Sequence, residues 1–208
     1  MKLKEMLVLQ DRLNCVVNPN WQTAGYNWCR AIMHEAVECQ EHVGWKWWKK
    51  QTPDIAQAQI EMVDIWHFIL SHFIVRCEGS LDYAEQLLAG RLNMSHVCAG
   101  RSLLEKLDLL VEAAAQGRAD VPLFASILID LGLPLEHLER IYIAKNVLNM
   151  FRQANGYKQG TYVKTWGGVE DNVVLERIMS SVPDATPDDL YSYLTRDYAA
   201  VLSSRGST

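Results

Sequence analysis

The sequence has few of the residues that break helices and lacks the patterns that build sheets. Its 208 residues include only 12 glycines and 6 prolines. Half-buried strands need alternating apolar and polar residues rich in valine, isoleucine and threonine, and no such run is present. Apolar residues make up 49% of the chain, which is enough to bury a substantial core. We therefore expect an all-α fold, a helical bundle that forms a single domain over residues 1–208.

Other absences narrow the class of protein. No C-x-x-C pair occurs, so we expect reduced thiols and neither a disulfide framework nor a zinc site. Charged residues interrupt the N-terminal segment and the longest apolar stretch, so we expect no signal peptide and no membrane span. The net charge of −5 argues against general nucleic-acid or membrane-surface binding. The cysteines expected to be reduced are scattered through the chain, at Cys15, Cys29, Cys39, Cys77 and Cys98. Together these features predict a cytoplasmic protein.

Apolar periodicity and capping residues predict the order of the helices. Gly44 is a typical helix end, and the segments that begin at Thr52 and at Thr186 are typical helix starts, with proline at the first helical position. The small-residue tail from Ser203 to Thr208 is expected to be disordered. The predicted helices lie near residues 4–16, 23–43, 54–74, 82–92, 102–116, 121–131 and 135–155 and after residue 186.

Two pairs of acidic residues are the most informative pattern. Glu35 and Glu38 form one pair and Glu61 and Asp64 the other, each at a spacing that places both carboxylates on one helix face. The second pair lies in an almost wholly apolar segment, which is typical of a buried helix. Buried carboxylates need a cation. If the two pairs face each other, Mg²⁺ offsets the charge best; lysine or arginine from elsewhere in the chain is the alternative.

Two other segments have polar side chains at regular spacing. Gln10 and Asn14 lie one helical turn apart, and such amides either read a ligand edge or lie on a wet helix face. Trp45-Lys46-Trp47-Trp48-Lys49-Lys50 is either a packed corner or a flap that covers a base and meets phosphate.

The C-terminal third combines cationic side chains with a loop rich in glycine. Lys145, Asn149 and Arg152 share one side of a helix, and residues 156–168 follow as a loop that suits a polyphosphate or is a charged surface loop. The loop lacks the pattern G-x-x-x-x-G-K-[ST], so it is not a P-loop.

Together these segments resemble one family, the dimeric all-α dUTPases of the all-α NTP pyrophosphohydrolase superfamily, which are related to the MazG-like enzymes. The tryptophan-rich cluster and the C-terminal signature are more specific than the acidic pairs, which occur throughout the superfamily. The segments that carry the resemblance are LQDRLN at 9–14, the Glu35/Glu38 pair, WKWW at 45–48, EMVDIWHF at 61–68, KNVLN at 145–149, FR at 151–152, GYK at 156–158, GTY at 160–162 and EDN at 170–172.

The resemblance implies hydrolysis of dUTP, and of dUDP, to dUMP with release of pyrophosphate or phosphate. Water activated by two or three Mg²⁺ ions would attack the α-phosphorus, and Mn²⁺ would be a possible substitute. The implied metal ligands are Glu35, Glu38, Glu61 and Asp64, and either Glu35 or Glu38 would be the catalytic base. The family also implies a homodimer with a nucleotide substrate.

Substrate-binding residues are assigned through the same resemblance. Gln10 and Asn14 match positions that read uracil, Trp45 or Trp48 lies near the base, and His67 and Phe68 lie beside the deoxyribose. The β- and γ-phosphates would be bound by Lys145, Asn149, Arg152, Tyr157, Lys158, Lys164 and Asn172. One alternative is a pyrophosphohydrolase of other or broader specificity, such as dCTP/dUTP, and another is a catalytically silent helical interaction module.

Overall fold

The structure is a computed structural model that describes residues 2–95 and 100–205. Almost all of its regular structure is helical, and the all-α prediction is confirmed. The described elements are α1 (Leu3–Val17), a short 3-10 helix (Trp21–Thr23), α2 (Trp28–Val43), α3 (Ile55–Arg76), α4 (Leu81–Leu92), α5 (Leu103–Ala115), α6 (Val121–Asp130), α7 (Leu135–Ala154), β1 (Thr165–Trp166), β2 (Val169–Glu170), α8 (Asp171–Ser181) and α9 (Pro187–Arg205).

Capping residues explain where two of the described helices begin. The Asp54 side chain accepts a hydrogen bond from the backbone N–H of Gln57 at 3.1 Å and so caps α3. At the start of α9, the backbone N–H of Asp189 donates to Thr186 Oγ1, and the Asp189 carboxylate accepts from the Thr186 backbone N–H. Both arrangements satisfy N–H groups that lack a partner within the helix.

The structure differs from the predicted elements in several places. The helix that carries Glu61 begins at Ile55 after the N-cap Asp54, so Pro53 lies before the helix and not at its first position. The second helix begins at Trp28 and not near Thr23, because Asn27 caps it by accepting from the Arg30 backbone N–H. Helix α8 follows the glycine-rich loop and was not predicted. Helix α9 continues to Arg205, so the tail expected from Ser203 is helical at its start, and residues 206–208 lie outside the described part.

The chain divides into two compact units, so the single domain expected over residues 1–208 stays a prediction. Within the described residues, unit 1 comprises 2–14 and 20–142, and unit 2 comprises 15–19 and 143–205. Helix α3 forms the centre of unit 1, where α2 packs along it and Trp66 stacks on Phe124 with ring centroids 5.3 Å apart. Burial of these apolar faces is the main stabilising contribution to such a unit.

Unit 2 has a core of its own. Phe151 of α7 contacts Trp166 of the small hairpin and Tyr198 of α9, each edge to face. The hairpin pairs β1 with β2 through the two-residue turn Gly167–Gly168, and both glycines have positive φ, +57° and +88°. A turn with two residues in this region matches the twist of a hairpin, and glycine adopts it without steric cost.

Two expectations from the composition concern segments of the described chain. Cys15, Cys29, Cys39 and Cys77 are free thiols, as expected, and Cys98 lies outside the described residues. Among the described helices, none is by itself long and apolar enough to cross a membrane, although α6 and α7 taken together as a bent pair meet the length and composition criteria.

Candidate active site

Three carboxylates converge within unit 1. Helix α2 carries Glu35 and Glu38, and α3 carries Glu61, whose side chain is buried. One carboxylate oxygen from each of these three residues lies within 4.8 Å of the other two. The three-residue spacing places the pair of α2 on the face that packs against α3, as the sequence suggested. Asp64 lies one turn after Glu61 and is half-buried.

This concentration of negative charge acts on Glu35. Burial raises the pKa of its carboxyl to about 8, together with the charges of Asp64, Glu38 and Glu61 and a hydrogen bond with Glu61. Burial and neighbouring negative charge both disfavour an ionised carboxyl, and a bound cation would oppose both effects. The donor set consists of carboxylate oxygens, which hard divalent cations prefer, so these residues fit a Mg²⁺-type ion.

Two further residues lie next to the carboxylates and were not predicted to be part of the site. His42 Nε2 lies 3.3 Å from Glu61 Oε1, and His42 follows Glu38 by one helical turn. That four-residue spacing was the signal that could have found it. Cys39 is fully buried, and burial and the charge of Glu61 raise the pKa of its thiol to about 12. The thiol is therefore protonated, which agrees with its interpretation as a small core residue.

The predicted uracil-reading residues lie in a buried polar network of unit 1. Gln10 Nε2 donates to Asn14 Oδ1 at 3.0 Å, and Asn14 Nδ2 donates to Ser71 Oγ at 2.9 Å. His67 Nδ1 lies 2.7 Å from Gln10 Oε1, which also accepts from the hydroxyl of Tyr142 at 3.1 Å. Both amides are internal, so the wet-face alternative is wrong. The network includes Tyr142, which the sequence did not single out.

The other predicted contacts to the nucleoside are aromatic. Trp45 and Trp48 meet edge to face with centroids 5.1 Å apart, and Trp47 is 89% exposed. The indole N–H of Trp45 donates to Glu41 at 2.8 Å. Phe68 is half-buried and packs beside Trp28, with centroids 6.4 Å apart. Trp45 is 42% exposed and Trp48 is 56% exposed, so each ring packs on its neighbour and also leaves part of its surface open to a ligand.

Among the predicted phosphate-binding residues of unit 2, Arg152 forms a buried ion pair with Asp171. Arg152 donates to both carboxylate oxygens of Asp171 and to Asn149 Oδ1, and it lies over the ring of Tyr157 at 5.7 Å. Tyr162 donates its hydroxyl proton to the same carboxylate at 2.8 Å. Burial by itself would raise the pKa of Asp171, but the hydrogen bonds and charge of Arg152 outweigh it and lower that pKa.

The remaining predicted residues of unit 2 also have partners within it. Lys145 Nζ donates to Asn172 Oδ1 at 3.2 Å. Lys158 Nζ donates to the backbone carbonyl of Val17 at 2.5 Å, and Lys164 forms a surface ion pair with Glu170 at 3.0 Å. Sequence reasoning gave Asp171 no role, although it lies in the segment EDN that carries part of the resemblance.

Comparison with known families agrees with these features. A family model described as dUTPase matches residues 2–157, well over half of the chain. The chain belongs to this dUTPase family. It is an enzyme with dUTP diphosphatase activity, and its substrate is a nucleotide. The match ends at Tyr157, before Lys158, Lys164 and Asn172. No curated protein matches the chain.

The family assignment bears on the role of the three converging carboxylates. Enzymes of this family generally need a divalent metal, and the converging carboxylates of unit 1 are a group that could hold one. The resemblance stated from the sequence is therefore confirmed at the level of family and activity. The individual site residues, the identity of the metal and the number of ions stay predictions.

Proposed function

We propose that the chain hydrolyses dUTP, and also dUDP, to dUMP by Mg²⁺-dependent attack of water on the α-phosphorus. Pyrophosphate leaves from dUTP and phosphate from dUDP. The observation that carries this proposal is the convergence of Glu35, Glu38 and Glu61 from two helices into one group of oxygen ligands. Such a group suits phosphoryl chemistry because carboxylate oxygens can bind divalent cations. These cations would neutralise the charge on the phosphate oxygens, which must happen before water can approach the phosphorus.

Glu35, Glu38, Glu61 and Asp64 would hold two or three Mg²⁺ ions, with Mn²⁺ as a substitute. When bound, these ions would lower the pKa of a bound water and neutralise negative charge on the phosphate oxygens. Either Glu35 or Glu38 would accept the proton from the attacking water. Glu35 is half-buried and Glu38 is exposed, and both belong to the group that surrounds the buried Glu61.

Base and sugar recognition would come from side chains of unit 1. Gln10 and Asn14 would bind the edge of uracil through their amides, and Trp45 or Trp48 would cover the base. His67 and Phe68 would lie beside the deoxyribose. The ring of Phe68 would disfavour a 2′-hydroxyl because that hydroxyl would find an apolar neighbour and no hydrogen-bond partner.

Phosphate recognition is a separate part of the proposal. Its candidates are polar and cationic side chains that lie on α7, in the loop that follows and at the start of α8. Charged hydrogen bonds from such groups to phosphate oxygens are short and strong. The residues are Lys145, Asn149, Arg152, Tyr157, Lys158, Lys164 and Asn172. The proposal also includes a cytoplasmic homodimer without a nucleic-acid or membrane partner.

The test is pyrophosphate release from dUTP, dCTP, dTTP and UTP, each with Mg²⁺ and with EDTA. We expect a rate for dUTP that depends on Mg²⁺ and exceeds the other three rates clearly. Activity that survives EDTA would contradict the metal assignment. Comparable rates for several nucleotides would instead favour an enzyme of broader specificity and would remove the roles of Gln10, Asn14 and Phe68.

A further inference from the structure

In the buried polar network of unit 1, each amide side chain has one orientation, and the Ser71 hydroxyl determines it. The Ser71 hydroxyl donates to the backbone carbonyl of His67, one turn earlier on α3, at 2.9 Å. A hydroxyl has a single proton, so Ser71 Oγ can then only accept. Asn14 lies 2.9 Å from that oxygen and must therefore turn its NH₂ group toward it. The carbonyl oxygen of Asn14 consequently points away from Ser71.

The same reasoning fixes the second amide. Asn14 Oδ1 accepts from Gln10 Nε2 at 3.0 Å, so the carbonyl oxygen of Gln10 lies on the side of His67 and Tyr142. Since a carbonyl oxygen only accepts, His67 must present a protonated Nδ1 toward it. The Tyr142 hydroxyl proton lies between Gln10 Oε1 and the backbone carbonyl of Met6, at 3.1 and 2.9 Å.

Burial makes this orientation costly to reverse. Gln10, Asn14, Ser71 and His67 are all buried, with Ser71 fully inaccessible. Turning over one amide alone would place two donors or two acceptors opposite each other without water to separate them. Turning over both would require Ser71 to give up its hydrogen bond to the His67 carbonyl and His67 to change tautomer. Mispaired polar groups in such a site lose hydrogen bonds that solvent cannot replace.

The hydrogen-bonding capacity left on the two amides matches one type of base edge. Beyond the bonds above, and with respect to the described residues alone, Asn14 retains one N–H and one lone pair, and Gln10 retains one further N–H. Donor, acceptor and donor complement the Watson–Crick edge of uracil, which presents O2, N3–H and O4. Cytosine presents an unprotonated N3 and an amino group in place of the last two. The fixed orientation is therefore right for uracil and wrong for cytosine.

We propose that Ser71 and Tyr142 are positioning residues that hold Asn14 and Gln10 in the orientation that selects uracil over cytosine. This inference rests on the proposed role of the two amides as base readers. Ser71 orients the Asn14 amide, and Tyr142 supports the Gln10 carbonyl beside His67, whose ring packs against Tyr142 with centroids 4.3 Å apart. Thymine has the same edge as uracil, so these residues do not separate dUTP from dTTP.

The test compares Ser71→Ala and Tyr142→Phe, each of which removes one hydroxyl and keeps the rest of the side chain. Ser126→Ala, at a buried serine of α6, and Tyr83→Phe, on α4, are the matched controls. We would measure kcat and KM for dUTP, dCTP and dTTP with wild-type enzyme and all four variants. Tm values recorded in parallel would report any change in stability.

For Ser71→Ala we expect the dUTP-to-dCTP ratio of kcat/KM to fall about tenfold, the size of one lost hydrogen bond, mainly through a higher KM for dUTP. For Tyr142→Phe the fall should be severalfold, because His67 still donates to Gln10. The dUTP-to-dTTP ratio should stay at the wild-type value in both variants. Both control variants should keep all ratios.

The outcomes separate this inference from the proposed function. If wild-type enzyme itself does not distinguish dUTP from dCTP, the base-reading role of Gln10 and Asn14 fails. If wild-type enzyme discriminates and both variants keep its dUTP-to-dCTP ratio, the positioning role is overturned. Equal losses for all three nucleotides would show a merely structural role and would overturn it as well. If one variant does not fold, the other decides.

Discussion

Arg152 and Asp171 form a bidentate ion pair inside unit 2, with Nε to Oδ2 and Nη2 to Oδ1 distances of 2.8 Å. Asp171 is fully buried and Arg152 nearly so. The Asp171 carboxylate binds the Nε–Nη2 edge of the Arg152 guanidinium, and the remaining nitrogen, Nη1, donates to Asn149 Oδ1. Asp171 thereby orients Arg152, which is predicted to bind phosphate. The Asp171 carboxylate is itself held by the hydrogen bond that it accepts from the Tyr162 hydroxyl.

We expect Asp171→Asn to lower the free energy of unfolding by about 3 kcal/mol, because the substitution leaves a buried guanidinium without its charged partner. Glu170→Gln is the matched control. Glu170 precedes Asp171 and pairs with Lys164 at the surface, so its loss should change stability by less than about 1 kcal/mol. Chemical denaturation of both variants and the wild type measures the difference. Equal effects at the two positions would contradict the structural role of Asp171.

The same pair predicts how stability depends on pH. Arg152 lowers the pKa of Asp171 below its ordinary value of 3.8 despite the opposing effect of burial. A carboxyl whose pKa is lower in the folded state stabilises the fold fully above the unfolded pKa and loses this contribution as pH falls through the folded pKa. The stability difference between wild type and Asp171→Asn should therefore stay constant from neutral pH to about 4 and shrink below it. Unfolding curves at a series of pH values test this, and a difference that already shrinks near pH 6 would point to another group.

Glu61→Gln should reduce kcat for dUTP by more than about a hundredfold, because it removes the buried carboxylate from the group of three. Loss even of residues that only support metal ligands commonly costs 10- to 100-fold. The variant should remain folded, since the substitution also relieves repulsion with Glu35. Glu112→Gln, at an exposed residue of α5, is the control. A variant that retains most of the wild-type rate would remove Glu61 from the metal site.

Lys158→Ala should raise KM for dUTP by roughly tenfold and leave the affinity for dUMP unchanged, if its amine binds the terminal phosphates. In the structure that amine donates to the backbone carbonyl of Val17 and would have to exchange this partner for a phosphate oxygen. Arg101→Ala, at an exposed cation of unit 1, serves as the control. Steady-state kinetics and calorimetric titration with dUMP provide the two measurements. Equal losses for both ligands would place Lys158 away from the β- and γ-phosphates.

Trp48→Ala should weaken dUMP binding by roughly tenfold or more, because stacking of a base on an aromatic ring contributes about 1–3 kcal/mol. Trp47→Ala is the natural comparison, since Trp47 is adjacent, has the same chemistry and is 89% exposed. Titration with dUMP, followed by tryptophan fluorescence, compares the two variants. A larger loss for Trp47→Ala would mean that the base lies on the other face of this cluster.

Local patterns in the sequence were sufficient for most of the helices and for the pairing of acids on α2 and α3. Capping by Thr186 depends on residues three positions apart, and a short-range rule predicts it directly, whereas the same rule placed the start of α3 two residues before its cap at Asp54. The predicted start of α2 near Thr23 was wrong because Gly25 has a positive φ of +69° and the Asn27 side chain caps the helix, which therefore begins at Trp28. Helix α8 was missed because it begins directly after a two-residue strand, and its N-cap residue, Glu170, makes no side-chain capping hydrogen bond.

Contacts between residues distant in sequence had no such signal. Gln10 and His67 are 57 residues apart, and Arg152 and Asp171 are 19 apart. Periodicity assigns each of these side chains to a helix face but does not say which other face it meets. The directions of the two amides depend in addition on where Ser71 places its proton, which follows only from the packed arrangement of α1 and α3.

The sequence by itself determined an all-α chain, the same-face placement of its carboxylate pairs and its resemblance to the dUTPases, because all three depend on residue types at short, regular spacing. Only the tertiary structure decided that Glu35, Glu38 and Glu61 converge, that Asp171 holds Arg152, and that Ser71 and Tyr142 orient the buried amides. The physical reason is that a hydrogen bond or a ligand group needs atoms within a few ångströms of each other. Packing of whole helices, and not the spacing along one of them, brings such atoms together.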